Sequence, residues 1–219
     1  GSPRPSKLRK LDLYMNELGD TGVALVAEAL GEVRGLEELN LGGNAIGVAG
    51  AAALAAALQN NPDLQTLELG YNALGKEGAK EVAAAVKFHP SLRTLRLGWC
   101  QIGEEGAAEF AEALRFNEHL TCLDLRGNGL GDKGVGAFAS IIQAVGFEKL
   151  EELDLGYNEI RDRGAFTMAN AMKANPKELS LERMCLGNNY LTEFGKAAID
   201  EAASLVGEFN PKGGLEIPY

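Results

Sequence analysis

The stretch "LELGYNALG", Leu67 to Gly75, decides the reading of this chain, because the chain repeats it. "LDLYMNELG" begins at Leu11, "LNLGGNAIG" at Leu39, "LRLGWCQIG" at Leu95, "LDLRGNGLG" at Leu123, "LDLGYNEIR" at Leu153 and "MCLGNNYLT" at Met184. A further leucine stands three residues ahead of each: Leu8, Leu36, Leu64, Leu92, Leu120, Leu150 and Leu181. The frame L-x-x-L-x-L-x-x-N-x-L thus occurs seven times, with four steps of 28 residues, then 30, then 31. Repetition at such a period determines architecture before any local motif is weighed.

This frame is the leucine-rich repeat pattern. Alternation in each x-L-x-L segment sends the leucines inward and their neighbours outward, as in a short strand. A helix of about twelve residues is expected next. Its apolar stripe pairs Val26 with Leu30, Leu54 with Leu58, Val82 with Val86, Phe110 with Leu114, Phe138 with Ile142, Met168 with Met172 and Ile199 with Ala203, at i, i+4 spacing. A glycine stands six residues past every Asn slot, at Gly22, Gly50, Gly78, Gly106, Gly134, Gly164 and Gly195, which implies close backbone approach or a special dihedral. Strands stack at roughly 4.8 Å and helices need about 8–10 Å, so the array must curve by roughly 15–20° per coil. The expected fold is α/β: a leucine-rich-repeat solenoid, an open horseshoe of seven strand–helix coils with a parallel sheet on its concave face.

The Asn slot follows the strand, where the chain turns inward. Asn16, Asn44, Asn72, Asn128, Asn158 and Asn189 occupy it, with Cys100 in the fourth coil. A buried side chain there must serve orphaned backbone groups. Asn donates and accepts; the thiol of Cys100 is a weaker substitute. The "WC" pair Trp99–Cys100 therefore reads as a structural ladder position beside an outward tryptophan.

The 219 residues carry a formal charge of −10 and are 46% hydrophobic. Acidity argues against binding a phosphate backbone. The longest apolar run, Val48 to Leu58, is too short to span a bilayer. Three cysteines at unrelated spacing give no disulfide framework or paired metal motif, and no N-x-S/T acceptor occurs. An intracellular, reducing location is expected. Residues 1–7 read as a cloning remnant and linker, 8–208 as one repeat domain, and 209–219, with two prolines and two glycines, as a loose tail or partial cap. Nothing ahead of Leu8 covers the first coil's open side, so a piece of a longer protein is expected.

Three local motifs dissolve in the frame. "GLGDKG" (Gly129 to Gly134) matches a dinucleotide fingerprint, but Gly131 and Gly134 recur in register in other coils. "GYNALGKE" places Glu77 where a P-loop needs a hydroxyl. His89 and His119 read as solvated loop residues on the edge opposite Cys100. No catalytic constellation and no metal-ligand spacing is present, and no cofactor is expected.

Candidate binding residues come from the outward positions. The position after the second leucine holds Asp12, Asn40, Glu68, Arg96, Asp124, Asp154 or Cys185. The next outward position is glycine in five coils, with Tyr14 and Arg126 the exceptions, which makes a shallow trough. Met15, Tyr71, Trp99 and Tyr157 line the rim beside it, and Arg183 lies near its end. Trp, Tyr and Arg are enriched at binding hot spots. The expected partner-binding set is Tyr14, Met15, Glu68, Tyr71, Arg96, Trp99, Asp124, Arg126, Asp154, Tyr157 and Arg183, with Tyr71 and Trp99 forming one platform. In the plainer alternative, the arginines pair with neighbouring carboxylates and the aromatics cover the core's edge.

Repeats of 28 residues with N-x-I/L-G-x-x-G-A and a long helix resemble the ribonuclease-inhibitor class of leucine-rich repeats, from Leu8 to about Val206. That class includes ribonuclease inhibitors, sensor regions of nucleotide-binding immune receptors and Ran GTPase activators, and the resemblance implies work through protein surfaces. More narrowly, "LDLYMNELGDTG", "LDLGYNEIRDRGAF" and "LGNNYLTEFGKAA" are similar to a plant and algal group, some with plastid transit peptides. That implies chloroplast stroma as an alternative to cytoplasm. The function expected is a non-enzymatic scaffold binding a protein on the concave face and aromatic rim, with no nucleic acid, membrane or small-molecule substrate. The alternatives are a structural segment of a larger protein and a Ran-type GTPase activator, whose usual acidic tail this chain lacks.

Overall fold

Each frame becomes one strand and one helix in a computed structural model that describes residues 8–210 and 213–219. The linker expected over 1–7 lies outside the described residues. The strands are β1 Lys10–Asp12, β2 Glu38–Asn40, β3 Thr66–Glu68, β4 Thr94–Arg96, β5 Cys122–Asp124, β6 Glu152–Asp154 and β7 Arg183–Cys185. The helices are α1 Gly19–Leu30, α2 Val48–Leu58, α3 Gly75–Val86, α4 Gly103–Leu114, α5 Gly131–Val145, α6 Asp162–Ala174 and α7 Glu193–Phe209. All seven strands pair in parallel and in chain order. The register is strict: Leu39, Leu67, Leu95, Leu123, Leu153 and Met184 follow Leu11 in one row. The longer fifth and sixth steps leave this register intact: α5 runs to Val145, and a short 3-10 turn, Pro176–Glu178, follows α6.

The core lies between sheet and helices. Leu39, Leu67, Leu95, Leu123 and Leu153 are essentially inaccessible, and so are Leu54, Val82, Phe110, Phe138, Met168 and Ile199 of the helical stripe. Burying such a side chain stabilises by roughly 1.5–3 kcal/mol. In the first coil Leu11, Leu13 and Val26 are only partly buried.

Three-residue strands cannot hold an array together by themselves, and the Asn slot does much of that work. Asn72 Oδ1 accepts from the N–H of Asn44 and of Ile46 in the preceding coil (2.9 and 3.0 Å). Its Nδ2 donates to Leu41 O and Leu69 O (3.0 and 2.7 Å). Asn44, Asn128, Asn158 and Asn189 repeat these links. Cys100 fills the rung as expected: fully buried, its thiol donates to Leu69 O (3.2 Å). Burial, more than any neighbour, pushes that thiol up to about 12. Its sulfur faces the backbone N–H of Asn72, where the other rungs present a carbonyl oxygen.

The glycine column marks close approach between helix starts, with no unusual dihedral. Asp20 Oδ1 accepts from Gly47 N–H and Gly50 N–H of the next coil (2.7 and 3.0 Å), capping α2. Asp132 caps α6 in the same way through Arg161 and Gly164. Asp162 serves α7 through Thr192, whose hydrogen bonds hold the carboxyl below its ordinary value. A Cβ at Gly50 or Gly164 would stand 2.6 Å from the capping oxygen.

A second ladder runs along the other edge. Asn61 donates to Leu30 O and Ala57 O, Asn117 to Val86 O, Asn175 to Ile142 O and Asn210 to Leu181 O. His89 is its rung in the third coil, which corrects its reading as a solvated histidine. It is 2% exposed, its Nδ1 accepts from Leu92 N–H (3.1 Å), and its Nε2 lies 3.2 Å from Asn61 O. Nδ1 faces donors, so the proton sits on Nε2. Burial lowers its pKa below the ordinary imidazole value. His119 is exposed, as expected.

The tail is a cap. Residues 215–219 lie along β7 as an eighth extended segment: Met184 N–H donates to Glu216 O, Leu186 N–H to Pro218 O, and Arg183 bridges to Glu216. Leu215 joins the core, and the Tyr219 hydroxyl bonds Lys196 O and Asp200. The helix ahead of it runs to Phe209, one residue past the expected domain boundary.

The two ladders generate three stability predictions. Asn72→Ala should lower stability by about 3 kcal/mol, because several buried backbone groups lose partners, while Cys100→Asn should raise the urea midpoint by returning an acceptor to Asn72 N–H. Loss of folding in Cys100→Asn would contradict the rung assignment. For His89, the native state binds its proton less readily than the unfolded chain. Stability therefore falls as pH drops below about 6.5, and His89→Asn should flatten that slope between about pH 7 and pH 5 in pH-dependent denaturation.

Candidate functional site

The outward strand positions build the candidate site, and most of its carboxylates have a partner inside the fold. Asp12, Asn40, Glu68, Asp124 and Asp154 each accept from the backbone N–H two residues on, at 2.9–3.0 Å, fixing the bend that ends each strand. Asp124 is buried, and Arg126 Nε donates to its Oδ2 (2.8 Å), with Nη2 on the same oxygen. Asp154 lies 3.8 Å from Arg126 Nε. Burial raises the pKa of both Glu68 and Asp154. For Arg126, Asp124 and Asp154 the plainer alternative of internal pairing holds, and Arg183 pairs with Glu216 of the tail.

Arg96 is different. It stands in the same row, between Glu68 and Asp124, and is exposed. Among the described residues it makes no ion pair, and it has no oxygen to offer the N–H of Gly98.

The rim is held out by its backbone. Met15, Tyr71, Trp99 and Tyr157 have φ of 56°, 59°, 61° and 56°, and their side chains are 67%, 60%, 42% and 49% exposed. Gly43 and Gly127 occupy the same slot with φ of 65° and 68°. Tyr14, 44% exposed, packs over Gly42. The expected Tyr71–Trp99 platform is not formed. Trp99 leans the other way, across Gly127, to place its ring centroid 5.5 Å from that of Tyr157. The missing side chain at Gly127 is the reason: a Cβ there would overlap the indole. Tyr14, Tyr71 and Trp99 instead wall a cleft of about 270 Å³ whose floor includes Glu68, Gly98 and Asp124.

Burial pushes the Cys122 thiol up to about 12 and raises that of Cys185, so neither is poised as a thiolate. No group of three or more His, Cys, Asp and Glu residues suited to a metal ion occurs among the described residues. No helix there is long and apolar enough to cross a membrane. One feature escaped sequence reasoning: a cleft at the C-terminal ends of α3 and α4. Phe88, 73% exposed, and Phe116, 42% exposed, flank Lys87 there, with Nζ 3.8 Å from the Phe116 centroid. The F-H and F-N pairs, Phe88–His89 and Phe116–Asn117, at the same repeat position were its only signal.

Residues 4–27, 36–55, 60–83, 88–111, 116–139 and 148–169, together more than half of the chain, match the model of the Leucine Rich repeat family. The chain belongs to this family. As a leucine-rich repeat it has no match among curated proteins, but several among solved structures. Leiomodin-1 actin-binding site 2 is similar with a TM-score of 0.57 at 16% identity, over 73% of this chain and 89% of that one. The tropomodulin C-terminal domain of Caenorhabditis elegans gives 0.53 at 16% identity, over 62% and 82%. A chain of the yeast Rad7–Elc1 complex gives 0.51 at 18% identity, over 87% of this chain and 47% of that one. At such identities the likeness is one of fold. The seventh coil, with Met184 in the leucine row, falls outside the family match yet keeps the repeat's geometry.

The only tryptophan reports on this rim. Gly127→Ala should displace it from Tyr157, shifting its emission to longer wavelength and increasing acrylamide quenching while the far-ultraviolet spectrum stays folded. Unchanged emission would contradict the packing of Trp99 over Gly127.

Proposed function

We propose that this leucine-rich repeat chain is a non-enzymatic scaffold that captures a protein partner on its concave face, along the rim of Met15, Tyr71, Trp99 and Tyr157. One observation carries the reading. The rim slot has the same left-handed backbone whether it holds glycine, as at Gly43 and Gly127, or a bulky side chain. The fold therefore does not require the four large residues, which expose apolar surface and each cost about 1 kcal/mol of backbone strain. Such residues beside an unpaired arginine form a hot-spot composition. A repeat array with a parallel sheet on its inner side offers an extended surface for a partner. The structures of similar fold include one described as an actin-binding site and one in complex with Elc1, which supports protein binding as the class of function and names no partner for this chain. The reading places the protein in a reducing compartment, where Cys100, Cys122 and Cys185 stay thiols.

The test is capture from an extract of the source organism, with wild type compared against Arg96→Glu plus Trp99→Ala. A protein retained by wild type and lost with the variant, in a variant that still folds, is the expected result. Equal capture by both would remove the concave face from the reading.

A further inference from the structure

The row of Asp12, Asn40, Glu68, Arg96, Asp124, Asp154 and Cys185 performs one task in five coils: a side-chain oxygen accepts the N–H two residues on. Two coils cannot do this. In the seventh, Cys185 has no oxygen, and the backbone of Tyr219 packs against Gly187, 3.2 Å from where a Cβ would stand. The tail covers that place. In the fourth, Arg96 has only donors. Among the described residues the Gly98 N–H has no acceptor; the Arg126 side chain packs over Gly98, its Cγ 3.1 Å from where a Cβ would stand, and brings donors only. Gly98 itself is buried yet lines the cleft walled by Tyr71 and Trp99, and Arg96 lines the neighbouring cleft, with Asp124 and Arg126 common to both. A buried N–H left without a partner is a standing cost, and any group that satisfies it on binding recovers that cost.

We infer that coil four is a receptor for an aspartate or glutamate side chain of the partner protein: the partner's carboxylate accepts from Gly98 N–H and pairs with the Arg96 guanidinium, taking the part that the chain's own carboxylate plays in the other coils. This rests on the concave-face reading and adds the partner's chemistry to it. A guanidinium and a backbone N–H are the donor set that favours a planar anion with two oxygens. Of the neighbouring carboxylates, Glu68 feels the Arg96 charge but makes no ion pair with it among the described residues. Asp124 is held by Arg126, and Glu68 is held by Gly70 N–H. Arg126, whose stem passes over Gly98, is committed to Asp124 and leaves Arg96 as the cation free to respond.

The experiment is a titration followed by amide NMR on the full chain, with aspartate blocked as its N-acetyl α-amide, so that the side chain carries the only carboxylate. Asparagine blocked in the same way is the control. The Gly98 amide proton should move downfield and saturate with the aspartate compound and stay in place with the asparagine one. Arg96→Ala should weaken the effect about tenfold, the scale of one charge-assisted contact. Arg96→Asp should abolish it, show the Gly98 proton already downfield, and raise the thermal midpoint, because the coil then supplies its own acceptor. No saturable shift, or an equal shift with asparagine, overturns the carboxylate receptor. An Arg96→Asp chain no more stable than wild type overturns the open donor on which it depends. If Trp99→Ala releases the captured partner and Arg96→Asp does not, the receptor fails and the concave-face reading stands. If Gly98 titrates while neither substitution affects capture, the coil binds a carboxylate that is not the partner's, and both the receptor and that reading fail.

Discussion

Five of the seven coils close by giving backbone donors to an asparagine side chain of the next. The amide at the Asn slot is the means: one oxygen takes two N–H groups from the coil before, and one nitrogen reaches two carbonyls. Without that exchange the turn after each strand would bury orphaned polar groups. The rest depends on it. Strands of three residues suffice because the ladder, together with the leucine row, fixes their register. The glycine column follows, because coils held at strand spacing bring helix starts close enough for an aspartate of one to cap the next.

The repeat frame was legible because it is written as a period, and a period survives the replacement of single letters such as Cys100 or Met184. The surface was legible only as positions. That Tyr14, Glu68, Tyr71, Arg96, Trp99 and Asp124 share one face follows from alternation. That Trp99 turns toward Tyr157 depends on Gly127, a residue without a side chain in a different coil. His89 was misread because its ladder is mostly asparagine, and a ring that imitates an amide carries no mark in the alphabet. The tail hid its strand behind Pro218, which breaks the apolar alternation while leaving its carbonyl free to accept from Leu186.

The composition also overstates how acidic the concave face is to a visitor. The chain carries −10, yet Asp12, Glu68, Asp124 and Asp154 each accept from their own strand's backbone, and Arg126 is shared between two of them. These carboxylates serve first as turn formers. Among the described residues, what the face offers outside such pairs is aromatic surface and the Arg96 guanidinium.

The rim has a corollary for the backbone. A slot whose backbone is left-handed in every coil is one where glycine is always the most comfortable residue, so each aromatic there is retained against a steady thermodynamic preference. Glycine at every rim position would give a blanker array with a relaxed backbone, the form that Gly43 and Gly127 give the second and fifth coils. The rim is thus a place where exposed apolar surface is held at the expense of backbone comfort. The pattern of glycine and bulky side chains along it records, coil by coil, where the chain carries that strain.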